Sequence, residues 1–424
     1  MKTVLFPYGK DHLFYDFKDE ELVDVLTSSI EGYAPATGEC DLVRTALENP
    51  IGSQRLCELA KGKQTIVIIA SDHTRPVPSK VIMPLMLEEI RKGNPDADIT
   101  ILIATGCHRG TTKEELVNKF GADIVQNEKI YIHDCDEREK LINIGKLPSG
   151  GDCEINSIAI QADLLVAEGF IEPHFFAGFS GGRKSVLPGV ASRGTVLANH
   201  CSEFIAHPCA RTGILDGNPI HEDMLWAAEQ AKLAFIVNVV LNAEKKVLFA
   251  TAGAPQAAHK AGTDFLSSLC GVSAMPADVV ITTNGGYPLD QNIYQAVKGM
   301  TAAEATVKEG GVIIMLASSD DGTGGDHFYR QMAETADIGE TMAMFLNRGR
   351  GETAPDQWMS QIFLRILMKA TVIYLSNAPD EIVEAMHMIP VHSLDEALAK
   401  ARELLGKEDV QIVAVPDGVS VIVK

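Results

Sequence analysis

Residues 65–106 read TIVIIASDHTRPVPSKVIMPLMLEEIRKGNPDADITILIATG, and this stretch decides the fold class. Two apolar runs, 65–71 and 99–106, flank an amphipathic stretch at 79–92. Continuous Val/Ile/Leu runs are typical of strands that are buried on both faces of a parallel sheet. The same alternation continues along the chain, so we predict an α/β fold with helices on both faces of the sheets.

The chain has 424 residues, which exceeds one ordinary hydrophobic core and predicts two domains. The predicted boundary is the segment CGVSAMP, residues 270–276, between a long helix and a new strand. We assign residues 1–270 to an N-terminal α/β domain and residues 276–405 to a C-terminal α/β domain. The final strands, within residues 406–424, could pair with either domain.

The composition and net charge of the chain exclude some classes of function. Hydrophobic residues make up 46% and charged residues 22% of the chain, as in soluble globular proteins. No apolar run is long enough to span a membrane and no signal peptide is evident, so we expect a cytoplasmic protein. The net charge of −20 argues against general affinity for nucleic acid or anionic membranes, but not against a small anionic substrate.

Polar and titratable residues follow several predicted strands. Asp72 and Arg75 follow the strand 65–71, and His108 follows the strand 99–106. Open α/β sheets bind ligands outside the carboxyl ends of their strands. Arg75 could therefore fork onto a carboxylate or phosphate, or form a local ion pair with Asp72. The histidines in such loops could move protons or ligate a metal.

Residues 170–200 read FIEPHFFAGFSGGRKSVLPGVASRGTVLANH and combine two histidines, a lysine and five glycines. Glycine allows close approach to an anion, and lysine can attach a cofactor covalently. The run GGRKS is not a Walker A loop. A helix near Ser192 would carry His200 back towards Lys184. One histidine without a cysteine cluster provides too few protein ligands for a closed zinc site, and a cofactor could supply the missing ligands.

The C-terminal half contributes a second group of candidates. Gln295 and Lys298 are three residues apart on a predicted helix, 290–298, so they share a face. They could contact an anionic substrate or form a solvated surface. Tyr294 could flank a planar ligand or pack in the core, and Trp358 lies in a polar stretch. Further helices are predicted at 113–120, 194–205 and 302–309.

Together these segments resemble the nickel-dependent lactate racemase family, and the match covers nearly the whole chain. The segments that carry it are SDHTRP (71–76), TGCHR (105–109), HFFAGFSGGRK (174–184), ANH (198–200), NGGYPLDQ (284–291), YQAVK (294–298) and PDQW (355–358). The resemblance implies two α/β domains, each a mainly parallel sheet flanked by helices, with the active site between them.

The resemblance also implies a cofactor. It would be nickel held by pyridinium-3,5-bisthiocarboxylic acid mononucleotide, the nickel pincer nucleotide, which other enzymes synthesise. Lys184 would be its attachment point, and His200 would complete the nickel coordination. Asp72, Arg75, Tyr294 and Trp358 would support or line the cofactor pocket.

The implied reaction is the interconversion of D- and L-lactate by reversible hydride transfer, through bound pyruvate. His108 and His174 would be the paired acid and base, because each enantiomer presents its hydroxyl on a different side. Arg75, Gln295 and Lys298 would bind substrate. Alternatives are a racemase or epimerase of another 2-hydroxy acid, a zinc-dependent hydrolase using the histidines, or a non-enzymatic anion-binding module.

Overall fold

Strands and helices alternate along the whole chain in the computed structural model, which describes residues 1–424. The strands are β1 (Lys2–Tyr8), β2 (Asp11–Phe17), β3 (Leu22–Val25), β4 (Thr65–Ser71), β5 (Asp98–Ala104), β6 (Lys129–Ile132), β7 (Leu141–Lys146), β8 (Asp152–Asn156), β9 (Leu164–Phe170), β10 (Pro173–His174), β11 (Gly178–Phe179), β12 (Leu233–Leu241), β13 (Val247–Gly253), β14 (Gly271–Val272), β15 (Ala277–Thr283), β16 (Val307–Leu316), β17 (Thr371–Leu375), β18 (Ile389–Val391), β19 (Ile412–Val415) and β20 (Ile422–Val423).

The α-helices are α1 (Glu39–Glu48), α2 (Leu56–Ala60), α3 (Ser79–Gly93), α4 (Lys113–Phe120), α5 (Ala122–Asn127), α6 (Ser157–Ile160), α7 (Arg193–Asn199), α8 (Ser202–Ala206), α9 (Pro219–Gln230), α10 (Pro255–Cys270), α11 (Ile293–Glu304), α12 (Asp326–Ala333), α13 (Ile338–Leu346), α14 (Gln357–Lys369), α15 (Asp380–Ala385) and α16 (Leu394–Leu405). None of these helices has the length and apolar character needed to cross a membrane.

The chain divides into two units. Ile30–Leu269 forms the central unit, and Met1–Ser29 joins Cys270–Lys424 in the terminal unit. The central unit contains a six-stranded sheet in the order β13-β12-β9-β4-β5-β6, parallel except between β12 and β13. Because β9, β4 and β5 are parallel neighbours, their carboxyl ends meet at one edge, where the loops after them begin.

Helix α3 shows how the central sheet is covered. Ile82, Met86 and Ile90 recur at four-residue spacing and form one buried cluster with Ile68 of β4 and Ile101 of β5. All five side chains are fully buried. Burial of each contributes about 1.5–3 kcal/mol. This packing holds the strand ends rigidly, so the loops that follow have a fixed base.

The terminal unit contains a six-stranded, fully parallel sheet in the order β18-β17-β16-β15-β19-β3. The hairpin formed by β1 and β2 places Phe6 and Phe17 in the same buried cluster as Ile281 and Ile314 of the sheet. Both units therefore have the predicted class of fold, with parallel-dominated sheets flanked by helices.

The division of the chain differs from the predicted domain limits in one respect. The prediction grouped residues 1–270, whereas β3 pairs with β19 in the terminal unit and so draws Met1–Ser29 away from the segment that follows it. The strands left open in residues 406–424 also lie in the terminal unit, where β19 pairs with β15 and β20 with β14.

Two predicted helices are wrong. The helix expected at 194–205 is two helices, α7 and α8, separated by His200 and Cys201, both of which leave the helical path. The helix expected at 302–309 is the end of α11 followed by β16. Val307 pairs with Ala277 of the neighbouring strand, and this pairing overrides local helical preference.

Candidate active site

The loop after β4 carries Asp72, Thr74 and Arg75, which are linked by hydrogen bonds. The buried Asp72 carboxylate accepts the Thr74 hydroxyl at 2.7 Å and the Thr74 backbone N–H at 3.2 Å. Arg75 Nη1 donates to the same Thr74 hydroxyl oxygen at 3.1 Å. Thr74, which the sequence did not single out, therefore joins the two predicted site residues.

Asp72 and His108 form the closest pair of predicted site residues. Asp72 Oδ2 lies 2.8 Å from His108 Nδ1, because adjacent parallel strands β4 and β5 end beside each other. Burial by itself raises the Asp72 pKa, but the hydrogen bonds from His108 and Thr74 outweigh it and lower the pKa overall. The carboxylate is thus ionised and can accept a hydrogen bond from His108 Nδ1–H, which leaves Nε2 as the ring nitrogen that can exchange a proton with a substrate.

The residue before His108 belongs to a pair of thiols. Cys107 is exposed and shares a hydrogen bond with the buried Cys135, just beyond β6. That hydrogen bond lowers the Cys107 pKa, and the positive charge of Arg193 acts in the same direction. The Cys135 pKa is raised by the same hydrogen bond and by burial.

The segment between β9 and α7 brings His174 next to Lys184. Strands β10 and β11 form a short antiparallel hairpin, in which His174 pairs with Gly178. His174 Nδ1 accepts the Ala177 N–H at 3.3 Å, and its Nε2 lies 3.5 Å from Lys184 Nζ. The predicted acid/base residue and the predicted attachment point are therefore in contact.

Phe176 links this pair to His200. Its ring packs edge-on against His174, with centroids 4.5 Å apart, and against His200, with centroids 5.0 Å apart. Lys184 Nζ lies 5.9 Å from the Phe176 centroid. Three predicted site residues thus surround one aromatic ring.

His200 is suited to be a metal ligand. It is the C-cap of α7, which begins at the Ser192 side-chain cap, and only 6% of it is exposed. Burial lowers its pKa to about 3, and the Lys184 charge acts in the same direction. The ring is therefore neutral at physiological pH, which is the form that binds a metal.

Arg183, which the sequence analysis passed over, is buried beneath the Lys184 turn. Its guanidinium donates to the carbonyls of Ala177 at 2.7 Å, Phe179 at 2.8 Å and Gly181 at 3.3 Å. Its Nε donates to His221 Nδ1 at 2.9 Å. Burial lowers the pKa of Arg183 to about 9 and that of His221 to about 3. One side chain therefore fixes the main chain between His174 and Lys184.

The glycine pair before Arg183 is required by close packing. Gly181 and Gly182 have φ values of +80° and +54°. A Cβ on Gly181 would lie 2.8 Å from Asn238 Oδ1, and one on Gly182 would lie 2.9 Å from the His259 ring. The Gly182 N–H also donates to Asn238 Oδ1 at 2.8 Å. The glycines thus let the turn sit directly on the sheet.

In the terminal unit, α11 carries Tyr294, Gln295 and Lys298, as predicted, although the helix begins later than expected, at Ile293. The Tyr294 hydroxyl lies 3.5 Å from Asp356 Oδ1, two residues before Trp358 on α14. The Tyr294 side of α11 therefore lies beside the start of α14, which brings two predicted pocket residues into one region of this unit.

Comparison with known proteins identifies the family. Residues 8–213 match the lactate racemase N-terminal domain and residues 272–423 match the lactate racemase C-terminal domain. The chain is 55% identical to the lactate racemase of Thermoanaerobacterium thermosaccharolyticum and 53% identical to that of Lactiplantibacillus plantarum, over 100% of each chain.

A solved structure agrees with this assignment. The lactate racemase apoprotein from Thermoanaerobacterium thermosaccharolyticum superposes with a TM-score of 0.96, at 55% identity and with 100% of both chains covered. The resemblance seen in the sequence is confirmed: the chain belongs to the lactate racemase family of isomerases.

Proposed function

We propose that this protein interconverts D- and L-lactate with the help of a nickel pincer nucleotide attached to Lys184. The observation that carries the proposal is the cluster around Phe176. A lysine amine, a histidine able to exchange protons and a neutral, buried histidine meet there in a chain 55% identical to a lactate racemase.

The residues present fit such a cofactor. Lys184 offers an amine for covalent attachment, and His200 offers a neutral imidazole for nickel. When bound, the cofactor supplies a reversible acceptor for the hydride that leaves lactate Cα. Arg183 holds the turn on which the attachment residue stands, so the tether starts from a rigid base.

The two histidines differ in the partners of their Nδ1 atoms. His108 Nδ1 faces the Asp72 carboxylate, whereas His174 Nδ1 accepts the Ala177 N–H and its Nε2 faces Lys184 Nζ. With lactate bound, His108 can take the hydroxyl proton of one enantiomer, and His174 can return a proton to form the other. The reverse reaction exchanges these roles.

The substrate carboxylate requires cationic and amide donors. The planar guanidinium of Arg75 can bind a carboxylate through two hydrogen bonds. Lys298 and Gln295 offer further hydrogen-bond donors on one face of α11. Tyr294 and Trp358 would line the pocket that excludes water. The preference for lactate over other 2-hydroxy acids is part of the same proposal.

Intact mass spectrometry with racemase assays tests this function. Protein co-expressed with the enzymes that make the cofactor should gain mass and interconvert the lactate enantiomers, whereas protein expressed alone should do neither. Lys184→Ala should abolish both properties, and Lys80→Ala, an exposed lysine on α3, should retain them. Turnover by unmodified protein, or activity restored by zinc alone, would refute the proposal.

Substrate choice is tested separately. A panel of 2-hydroxy acids with longer or more acidic side chains should give lower kcat/KM values than lactate. A higher kcat/KM for another acid would show that this acid, and not lactate, is the preferred substrate. The proposed cofactor chemistry would not be affected.

A further inference from the structure

Lys119 contacts the main chain of the loop after β4, which carries the predicted substrate-binding residue Arg75. It lies on α4, and its Nζ donates to the backbone carbonyl of Arg75 at 3.0 Å. Burial lowers the pKa of Lys119, while the negative charges of Glu168 and Asp72 act against that shift. The ammonium group is therefore within electrostatic reach of two carboxylates as well as the Arg75 main chain.

Glu168 is a buried carboxylate beneath the same loop. It lies on β9, is 3% exposed, and accepts the Ser79 hydroxyl at 2.5 Å through Oε1. Its Oε2 has no hydrogen-bond partner. Burial raises the Glu168 pKa, and the positive charge of Lys119 acts against that rise. Because Ser79 begins α3, this carboxylate joins the helix start to the central strand below it.

Helix α4 is itself held near the site by its N-terminus. Thr112 and Glu115 form a capping box, and Arg109 makes two hydrogen bonds to Glu115, at 2.6 and 2.9 Å. His73 Nδ1 lies 3.2 Å from Thr111 Oγ1. The helix therefore contacts both the loop after β4 and the loop after β5, and Lys119 acts from a fixed position.

The hydrogen bonds form a continuous path to the site. Lys119 holds the Arg75 carbonyl, Arg75 donates to Thr74, Thr74 donates to Asp72, and Asp72 accepts from His108. A shift of the Arg75 main chain would move the guanidinium first and the Asp72–His108 pair second.

We propose that Lys119 is a positioning residue, which fixes Arg75 for the substrate carboxylate through its hydrogen bond to the Arg75 carbonyl. This inference rests on the proposed function, because it assumes that Arg75 binds lactate. Arg75 contacts the non-reacting end of the substrate, so misplacing it weakens ground-state and transition-state binding alike. The expected signature is a change in KM with little change in kcat.

Steady-state kinetics of the cofactor-loaded enzyme test the inference. Lys119→Met removes the donor while keeping the aliphatic stem and should raise KM for lactate about tenfold, with kcat within about threefold of wild type. Lys119→Arg keeps a cationic donor and should return KM to within about threefold of wild type. Lys113→Met, on the exposed side of the same helix, should match wild type.

Hydrogen exchange of the apoprotein provides a readout that needs no turnover. Lys119→Met should accelerate amide exchange in residues 72–78, whereas Lys113→Met should not. Unchanged exchange there, an unchanged KM, or a fall in kcat at constant KM would overturn the inference. If wild type fails to racemise lactate, the proposed function fails, and the exchange comparison still decides whether Lys119 fixes this loop.

Discussion

The buried guanidinium of Arg183 offers a sharp test of how the Lys184 turn is held. It makes hydrogen bonds to the carbonyls of Ala177, Phe179 and Gly181 and to His221, with no acidic side chain among these partners. Arg183→Lys keeps the positive charge but replaces the planar guanidinium, which has donors on three nitrogens, by a single ammonium group on a shorter side chain. Lysine cannot reach acceptors on both sides of the turn at once.

The magnitude follows from the number of acceptors that lose a donor. At least two of the four acceptors would be left unsatisfied in a buried region, and each such loss costs about 1–3 kcal/mol. The expected destabilisation is therefore about 2–6 kcal/mol. For a unit the size of Ile30–Leu269, each kcal/mol lowers Tm by about 2–4 °C, so the expected fall is roughly 4–24 °C.

Calorimetry of the apoprotein measures this directly. Arg44→Lys is the matched control, because Arg44 is partly exposed in the same unit and lies 3.4 Å from Glu88, where the change should cost less than about 0.5 kcal/mol. The fraction of Arg183→Lys that gains cofactor mass should also fall. A Tm within 1–2 °C of wild type, about the size of the control effect, would refute the view that Arg183 holds this turn.

Two other predictions follow from single groups. Burial lowers the pKa of folded His221 to about 3, whereas the ring in the unfolded chain protonates below about pH 6.5. Below about pH 6.5 the unfolded state therefore binds a proton that the folded state does not. As the pH is lowered, the free energy of unfolding should fall by about 1.4 kcal/mol per pH unit because of this residue. Between about pH 6 and 5, His221→Gln should reduce the slope of unfolding free energy by that amount; an unchanged slope would contradict the assignment. The hydrogen bond from Cys135 lowers the Cys107 pKa, so iodoacetamide should modify Cys107 at least about threefold faster than the exposed Cys40, measured by peptide mass spectrometry. Equal rates would contradict this prediction.

Much of the fold could be predicted because its strands are apolar on both faces. Strand β4 has the predicted bounds, and so does α4, which begins at a capping box. The β1–β2 and β7–β8 hairpins were missed. Their strands mix polar with apolar residues, so they lack the continuous apolar runs on which the prediction depends.

The same reasoning explains which residues of the candidate site could be predicted from the sequence. Asp72 and His108 could be expected to meet, because each follows a strand and parallel neighbours end together. The rule locates residues that follow strands, and says nothing about residues that approach those loops from other elements.

Arg183 and Lys119 are of that second kind. Arg183 bonds to His221, 38 positions away, and Lys119 bonds to Arg75, 44 positions away. Lys119 bonds to a backbone carbonyl, and Arg183 bonds to three more besides the His221 ring. Because every residue has a carbonyl, those contacts leave no signature in the residue types around them. A buried cation such as Arg183 is costly to desolvate, and hydrogen bonds to several carbonyls offset that cost. Its position under a predicted catalytic loop is therefore itself evidence that the loop must be held still.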